Sequence, residues 1–265
     1  MKINCGTTLF AVITKDGITV GADSMARHHD GETESFCKLH VVRDAIIACE
    51  GLGILNVADM PELPDRILYR ADQWMAEIQS DPRMESNADA RNIVSLIETS
   101  HPFIDLIRRD DVLREFYRFQ CDSQKGYLAQ FLVASASHDE LLLIGTRLSM
   151  DSVPQPNGPV EWRVVFRKTI HTPVTPFVRY GAGKLAEIDN AFLRNGDCYK
   201  DMIASTNGGF ADLLDGEEVN LDRLREIVRC AISLAAKHNP KQVGPPFVIA
   251  TLQPGKPVSV ISYSE

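Results

Sequence analysis

A short hairpin signal near the start of the chain constrains its fold more than any other feature. Residues 8–14 (TLFAVIT) and 18–22 (ITVGA) are rich in β-branched and apolar residues, and Lys15-Asp16-Gly17 lies between them. An Asp-Gly pair between two such runs is typical of a tight turn that joins antiparallel strands. The second strand returns the chain to the start of the first. The sequence therefore predicts that Thr7 and Asp23 lie at the same end of a hairpin.

The residue pair at this end of the hairpin, Gly6 followed by Thr7, also suggests a chemical role. A threonine hydroxyl is a weak nucleophile at neutral pH unless a base lies beside it. Cleavage between Gly6 and Thr7 would free an α-amine, with a reference pKa of about 8, on the same residue. Gly6 suits such a cleavage because it has no Cβ and lets the peptide bend toward the hydroxyl. A lysine on a further strand of this sheet, Lys38, is expected to lie buried beside Asp23.

Each of these residues also has an ordinary structural interpretation. An Asp after a strand is usually a turn or cap residue, and a Lys in a strand usually faces solvent. The order and spacing of Thr7, Asp23 and Lys38 together favour the functional interpretation. Cys5 is an alternative nucleophile, but no Gly precedes it and the spacing to Asp23 favours Thr7.

The segments TTL, KDG, GADS and CKLH follow one another within residues 6–53. In this order they resemble the opening third of a proteasome β-type subunit, of the N-terminal nucleophile (Ntn) hydrolase superfamily. The resemblance implies cleavage at Gly6-Thr7, attack by the Thr7 hydroxyl, and a Lys38 that lowers the pKa of this hydroxyl while Asp23 orients it. It also implies a short leader over residues 1–6, removed on maturation, and a single domain over 7–265.

The same resemblance assigns roles to residues further along. Gly51, in Glu50-Gly51-Leu52-Gly53, falls where the family places the backbone N–H of the oxyanion hole, although a strand-to-helix turn would also need a Gly there. The implied substrate pocket consists of Ala26, Phe36, Cys49 and Gly53. Its Cys49 is small and uncharged, which suits an apolar or small side chain in the substrate.

The match weakens in the groups that surround the nucleophile of the family. A family Ser in a Gly-Ser-Gly turn corresponds to Ala182, which has no hydroxyl. A family Asp corresponds to Asn239, which can hold a hydrogen bond but supplies no charge. The resemblance therefore implies one of two functions. The first is a threonine-type amide hydrolase, either a proteasome-like peptidase or, as its rival, a small-amide hydrolase. The second is a catalytically silent, proteasome-like assembly or binding subunit.

Composition narrows the possible partners. The net charge of −8 and the pI of about 5.4 argue against nucleic acid or an anionic membrane. The six cysteines are scattered without a C-x-x-C pair, so no metal site, disulfide framework or cofactor is indicated, and a reduced, cytoplasmic setting fits. The expected partners are a peptide or small amide substrate and, by analogy with the family, further copies of this chain in a homo-oligomer, for example a ring.

Periodicity predicts the remaining elements of an α+β protein. Helical spacing runs from Ile67 to Ile78, and a second helical stretch runs from about Asp89 to Phe119 with a break near His101-Pro102. Strands follow at 126–137 and 140–149, with shorter ones at 162–170 and 175–183, then helices at about 185–193 and 221–237, and two closing strands joined by Pro254-Gly255. Together with the resemblance, this order predicts a four-layer αββα sandwich.

Overall fold

A computed structural model describes most of the chain. The described residues are 2–4, 8–27, 33–57, 66–85, 88–122, 126–136, 140–156, 158–173, 177–183 and 221–264. The first strands are β1 (Lys2–Asn4), β2 (Thr8–Thr14), β3 (Gly17–Ala22), β4 (Met25–Arg27), β5 (Thr33–Ser35), β6 (Leu39–Val42), β7 (Ala45–Gly51), β8 (Ile54–Val57) and β9 (Arg66–Arg70). The later ones are β10 (Ala129–Ala136), β11 (Leu141–Val153), β12 (Glu161–His171), β13 (Phe177–Gly183), β14 (Phe247–Leu252) and β15 (Ser259–Tyr263). The helices are α1 (Ala71–Gln79), α2 (Ala90–Ser100), α3 (Phe103–Leu106), α4 (Asp110–Asp122) and α5 (Leu221–His238), with a 3₁₀ turn at Pro82–Met84.

The first large sheet has the strand order β13-β2-β3-β14-β15, and its neighbouring strands are antiparallel. Its centre is the predicted hairpin, in which Thr14 pairs with Gly17 across a turn at Lys15 and Asp16. A Cβ on Gly17 would lie 2.5 Å from the carbonyl oxygen of Leu252 on the neighbouring β14, so the turn needs glycine for space. The prediction of this hairpin is confirmed.

The second large sheet has the order β12-β11-β10-β7-β6, and a three-stranded sheet has the order β1-β8-β9. A ribbon of β4 and β5 completes the described strands. The pairing in all of these sheets is antiparallel. The described part of the chain is therefore dominated by antiparallel sheets.

The two large sheets pack face to face through their apolar side chains. Alternate residues of β2, such as Leu9 and Ala11, meet Ile46 of β7 and Leu132 of β10 in the core between the sheets. The other face of β2, which includes Phe10, packs against α5. The outer face of the second sheet carries α1 to α4, whose buried residues join those of β7, β10 and β11 in the largest cluster.

The helix predictions are partly correct. The predicted break is found, because α2 ends at Ser100, α3 and α4 follow it, and α5 covers the predicted 221–237. The helix predicted from Ile67 is wrong over its first four residues, because Arg66–Arg70 forms β9 and the helix begins at Ala71. Pairing of β9 with β8 overrides the local helical spacing there. The predicted helix at 185–193 lies outside the described residues.

The expectation of a four-layer αββα sandwich is wrong. The described residues are mostly in antiparallel strands, and one helix, α5, covers the outer face of the first sheet. Five strands span about 20 Å, since neighbouring strands are about 4.8 Å apart, and a helix with its side chains is about 10 Å wide. In the part of the chain that the structure describes, a single helix is therefore too narrow to form a layer over this sheet. On the opposite side, α3 is a single turn of four residues.

Candidate functional site

Asp23 stands directly after β3, at the end of the hairpin where β2 begins. Its backbone N–H donates to the carbonyl of Thr8 at 3.3 Å, which continues the β2–β3 pairing by one step. Its side chain accepts the N–H of Thr8 at 2.7 Å through Oδ1 and the N–H of Met25 at 3.1 Å through Oδ2. The carboxylate is thus fixed by backbone donors of the first sheet and of the segment that leaves it.

Lys38 makes a buried ion pair with this carboxylate. Its Nζ donates to Asp23 Oδ1 at 2.9 Å and to Oδ2 at 2.8 Å, and also to the carbonyl of Met25. The backbone of Lys38 is held against β7, because the Lys38 carbonyl accepts the N–H of Cys49 at 2.9 Å. The pair therefore links the first large sheet to the second. The expected burial of Lys38 beside Asp23 is observed. Its expected position on a further strand of the same sheet is wrong, because Lys38 directly precedes β6, which belongs to the second large sheet. The catalytic roles of both residues stay predictions.

Burial and charge act in opposite directions on this pair. Burial lowers the pKa of Lys38, because an ammonium ion loses its hydration, and the nearby carboxylates of Asp23 and Glu50 oppose this effect. Burial likewise raises the pKa of Asp23, and Lys38 and the two backbone N–H donors oppose it. A lysine with a lowered pKa loses its proton more readily than an exposed lysine does.

The predicted nucleophile and cleavage site, Thr7 and Gly6, lie outside the described residues, as does Cys5. The next residue, Thr8, is fully buried, and its N–H is bound by Asp23. The Thr8 Oγ1 is buried and has no hydrogen-bond partner in the part of the chain that the structure describes. Thr8, the first described residue after Thr7, is therefore in direct contact with the ion pair.

Gly51 ends β7 with a φ of +90°, a backbone conformation that strongly favours glycine. A Cβ there would lie 2.6 Å from the carbonyl oxygen of Leu128. The following residue, Leu52, donates its N–H to that same carbonyl at 2.9 Å. Turn geometry and close packing thus explain the glycine. Its predicted role as an oxyanion donor is compatible with this position and stays a prediction.

The four predicted pocket residues lie together but not on an open surface. Phe36, Ala26 and Cys49 are 2%, 5% and 4% exposed and belong to one apolar cluster. The Phe36 ring lies 3.1 Å from where a Cβ of Gly53 would be, and the Arg70 guanidinium lies 5.6 Å from its centroid. Burial raises the pKa of the Cys49 thiol, so it stays protonated. Among the described residues, Phe36, Ala26 and Cys49 are thus part of the apolar core, and Phe36 lies against Gly53.

The two residues predicted to surround the nucleophile occupy different surroundings. Ala182 is part of β13, opposite Leu9, and the next residue, Gly183, pairs with Thr8, so this segment is a strand and not a turn. Asn239 instead ends α5, where its backbone N–H and its Nδ2 both donate to the carbonyl of Ala235, at 2.9 and 3.3 Å. The side chain of Asn239 is thus used to close the helix.

Sequence reasoning missed a second buried carboxylate near the ion pair. Glu50 is buried, and the hydroxyl of Tyr127 donates to its Oε1. Gln130 lies directly opposite Glu50 on β10, and its Oε1 is buried without a partner among the described residues. The signal was present, because a Glu inside the apolar strand AIIACEG is unusual unless a partner holds it. The carbonyl of Met25 was also missed, since no side-chain pattern reports it.

Two classes of site find no support in the described residues. Among them, no group of three or more His, Cys, Asp or Glu side chains is placed to hold a metal ion. No described helix combines the length and the apolar character needed to cross a membrane.

Comparisons with known proteins show a likeness of fold. No protein-family model and no curated protein matches the chain. It is similar to the solved structure of Anbu, described as an ancestral beta-subunit, from Yersinia bercovieri, with 14% identity and a TM-score of 0.51 over 97% of this chain and 87% of the other. It also matches the Anbu (Gly-1) mutant from Hyphomicrobium sp. strain MC1, with 13% identity and a TM-score of 0.46 over 98% and 87%.

The expected membership in the proteasome β-type subunits of the Ntn hydrolases is therefore wrong. The two solved structures named above are of Anbu, and at 14% identity the likeness to the Yersinia bercovieri protein concerns the fold alone. The motifs that suggested the family lie in a hairpin and in the strands that follow it. Strand and turn geometry alone favours many of these residues, so they do not assign a family. What remains for the function is the geometry of the site.

Proposed function

We propose that this chain is an amide hydrolase that uses Thr7 as an N-terminal nucleophile, and that peptide bonds are its substrates. In this proposal residues 1–6 are a leader, and cleavage between Gly6 and Thr7 activates the domain that residues 7–265 form. A small non-peptide amide is the alternative substrate.

One observation carries the proposal: the buried Asp23–Lys38 pair is built around the first residue of β2. Asp23 Oδ1 accepts both the N–H of Thr8 and a hydrogen bond from Lys38 Nζ. Thr7 directly precedes Thr8 in the sequence. A buried lysine with a lowered pKa at this place supports a role in proton transfer.

The proposed reaction has two steps. The Thr7 α-amine, assisted by Lys38, takes the proton of the Thr7 hydroxyl as its oxygen attacks the substrate carbonyl, and the Gly51 N–H stabilises the oxyanion. The amide C–N bond then breaks, the amine product leaves with a proton, and an ester to the Thr7 oxygen remains. Water hydrolyses this ester and restores the hydroxyl. Asp23 keeps Lys38 in place through both steps.

The test is a chain made to begin at Thr7, compared with the full chain and with its Thr7→Ala variant. Before cleavage the Thr7 nitrogen is an amide without basicity, so the full chain needs processing and the shortened chain does not. We expect intact mass to show loss of residues 1–6 from the full chain and retention of these residues in Thr7→Ala. Electrophiles that trap an N-terminal Thr should label the shortened chain.

Two results would overturn the proposal. One is a folded, shortened chain that neither labels nor hydrolyses any of a broad panel of peptides and amides. The other is labelling at Cys5 of the full chain, mapped by digestion, which would make the thiol the nucleophile.

A catalytically silent assembly or binding subunit is the second candidate, and the burial of three predicted pocket residues favours it. Ala26, Phe36 and Cys49 are packed in the core, so they offer no open surface to a substrate side chain. The similar protein from Yersinia bercovieri is described as a beta-subunit, and a subunit is part of an assembly. Under either candidate we propose a homo-oligomer, for example a ring, and light scattering would measure its mass.

A further inference from the structure

The ring of Phe36 occupies the space beside Gly53 where the predicted pocket would accept a side chain. Phe36 follows β5, and a Cβ on Gly53 would lie 3.1, 3.4 and 3.6 Å from three carbons of this ring. Ala26 and Cys49, the other two residues of the predicted pocket, belong to the same buried cluster as Phe36. A substrate side chain therefore reaches this space only when the ring moves.

Arg70 covers the ring from a fixed position on the backbone. It ends β9, where it lies opposite Ile54 of β8, and the next residue, Ala71, donates its N–H to the carbonyl of Gly53 at 2.7 Å. The Arg70 guanidinium lies 5.6 Å from the centroid of the Phe36 ring. Backbone pairing thus fixes Gly53 and Arg70 relative to each other, whereas Phe36 meets both of them through its side chain, which can turn about its own bonds.

Two carboxylates hold the Arg70 guanidinium in this place. Asp72, in the first turn of α1, accepts from Nε at 3.1 Å and from Nη2 at 2.9 Å. Glu34 of β5, which is paired with Ala26 of β4, lies 3.5 Å from Nη1. The side chains of Arg70 and Asp72 are each 17% exposed, and that of Glu34 is 32% exposed. Two-point contact with a carboxylate fixes the plane of a guanidinium, so these three residues, the clasp, keep the charge over the ring.

We propose that Arg70 is a positioning residue for substrate selection, which holds Phe36 as a closed gate over an apolar pocket. A cation over an aromatic ring attracts it, so the clasp favours the closed position of the gate. In that position the site accepts peptides that have a small side chain on the residue whose carbonyl is attacked. A larger apolar side chain enters when the ring turns away from Gly53, and it regains the apolar contact that the ring gives up. The gate serves the proposed function, on which this inference rests, and it defines the preferred substrates as peptides with a small residue before the scissile bond.

The reactivity of the Cys49 thiol tests the gate without any catalysis. Cys49 is 4% exposed, and Cys230 on α5, which is also 4% exposed, is the internal reference. The full chain and its Arg70→Met variant are treated with methyl methanethiosulfonate, and the modified cysteines are mapped by digestion. Methionine keeps an unbranched side chain but not the charge. We expect the rate at Cys49 to rise about ten-fold, which corresponds to about 1.4 kcal/mol and to one partly shielded cation–π contact, while the rate at Cys230 stays the same.

Three further variants define what the clasp contributes. Arg83→Met is the matched control, because Arg83 also binds one carboxylate at two points, Asp81 Oδ1 at 2.9 Å and Oδ2 at 2.8 Å, in the 3₁₀ turn. It should leave the rate at Cys49 unchanged. Arg70→Lys keeps the charge but loses the fork, so it should raise this rate less, by about three-fold. Phe36→Ala removes the gate itself and should give the fastest reaction at Cys49.

Substrate selection is measured on the chain that begins at Thr7, with two peptides that differ only in the residue before the scissile bond, alanine or phenylalanine. Arg70→Met should raise kcat/KM for the phenylalanine peptide about ten-fold, because the same opening of the gate admits the larger side chain. It should leave kcat/KM for the alanine peptide within about two-fold of the wild type. A merely structural role would change both values alike, and that result would overturn the role in selection.

The outcomes separate the gate from the proposed function. If Arg70→Met and Arg83→Met leave Cys49 equally slow, or if Cys49 stays slow in Phe36→Ala, the inference is wrong whether or not amides are hydrolysed. If Cys49 becomes reactive in Arg70→Met but no peptide or amide is hydrolysed, the gate exists and the proposed function fails. Equal acceleration of Cys49 and Cys230 would mean that Arg70→Met unfolds. The milder Arg70→Lys then decides, because an unchanged rate at Cys49 in that variant overturns the inference.

Discussion

The chain buries two titratable centres that differ in what surrounds them. Asp23 and Lys38, which are 0% and 2% exposed, face each other between the large sheets. His101, which is 1% exposed, lies under the helices on the outer face of the second sheet. All three groups lose their hydration to the protein. For Asp23 and Lys38 an opposite charge and backbone hydrogen-bond partners compensate the lost hydration. His101 is surrounded by aromatic rings instead.

The surroundings of His101 hold it neutral. Its Nδ1 accepts the N–H of Phe103 at 3.2 Å, so the ring proton is on Nε2, which lies 3.3 Å from the hydroxyl oxygen of Tyr69. The ring centroids of Trp74 and Phe131 are 4.4 and 5.3 Å away. Burial lowers the pKa of His101 from 6.5 to about 3. Burial without a counter-charge therefore keeps His101 neutral, whereas Asp23 and Lys38 are each held beside an opposite charge.

Loss of Lys38 should have the largest effect of any change at these two centres. Lys38→Ala in the chain that begins at Thr7 is expected to lower kcat about 10²–10⁴-fold, as removal of a positioned proton-transfer group does. It should also destabilise the fold by about 3–5 kcal/mol, because Asp23 is left buried without its counter-charge. Kinetics on a folded fraction measured by urea unfolding would check both.

The double variant Asp23→Asn with Lys38→Met is the control for that experiment. It removes both charges, so it should recover most of the stability while the rate stays low. A Lys38→Ala variant that keeps more than about a tenth of the rate would contradict the proton-transfer role. If the double variant is as unstable as Lys38→Ala, the pair stabilises the fold by more than the neutralisation of one buried charge by the other.

Gly51 gives the next largest effect and has a matched control in Gly126. Both have a positive φ, +90° and +69°, but a Cβ at Gly126 would meet no atom within 4 Å. The backbone conformation should cost about 1–2 kcal/mol in each Ala variant. The contact with Leu128 should add about 1–3 kcal/mol at Gly51 alone. Equal losses of stability at the two sites would show that the Leu128 carbonyl yields and that packing does not require the glycine.

The contrast between the centres also explains what the sequence could predict. The hairpin follows from a local turn signal, which is a property of a short segment. The pairing of Asp23 with Lys38 was expected from the family resemblance together with the order of these residues along the chain. The strand at Arg66–Arg70 was missed because its pairing with β8 depends on residues that its own periodicity does not report. His101 was noticed only at a helix break, since the aromatic rings around it come from five different elements.

Long-range packing also explains the errors around the site. The predicted pocket residues were inferred as separate positions, and nothing in their spacing shows that Phe36 closes over Gly53. The hydrogen bond between Tyr127 and Glu50 joins positions 77 residues apart. The αββα expectation failed for a related reason, because the number of helices that cover each sheet depends on tertiary packing rather than on their order in the chain.

Acid unfolding should separate the neutral centre from the charged one. The folded-state pKa of His101 is depressed, so below pH 6.5 the unfolded chain takes up a proton that the folded chain does not. Its stabilisation is fully present above about pH 6.5 and is lost as the pH falls toward about 3, by up to about 1.4 kcal/mol per pH unit. His101→Phe should flatten this part of the stability profile.

At neutral pH the same variant should cost about 1–3 kcal/mol, because the Phe103 N–H is left buried without an acceptor. Urea unfolding between pH 4 and 8 would give both quantities, and the rate per folded molecule should not change. Parallel pH profiles for the wild type and the variant would mean that His101 is charged, or exposed, in the folded state.

Asn239 should show the smallest effect, and it decides whether the charged centre extends to the end of α5. The Asn239 carbonyl accepts the N–H of Val243 at 3.0 Å. Gly244, which follows Val243, accepts the N–H of Ser24 at 3.3 Å through its carbonyl. The end of the helix thus reaches the neighbour of Asp23 through backbone groups. Asn239→Ala should cost about 0.5–1 kcal/mol, the value of one long side-chain hydrogen bond, and change kcat less than about three-fold. A loss of kcat above ten-fold at unchanged stability would instead place the amide beside the Thr7 amine, because a backbone connection alone survives truncation of the side chain.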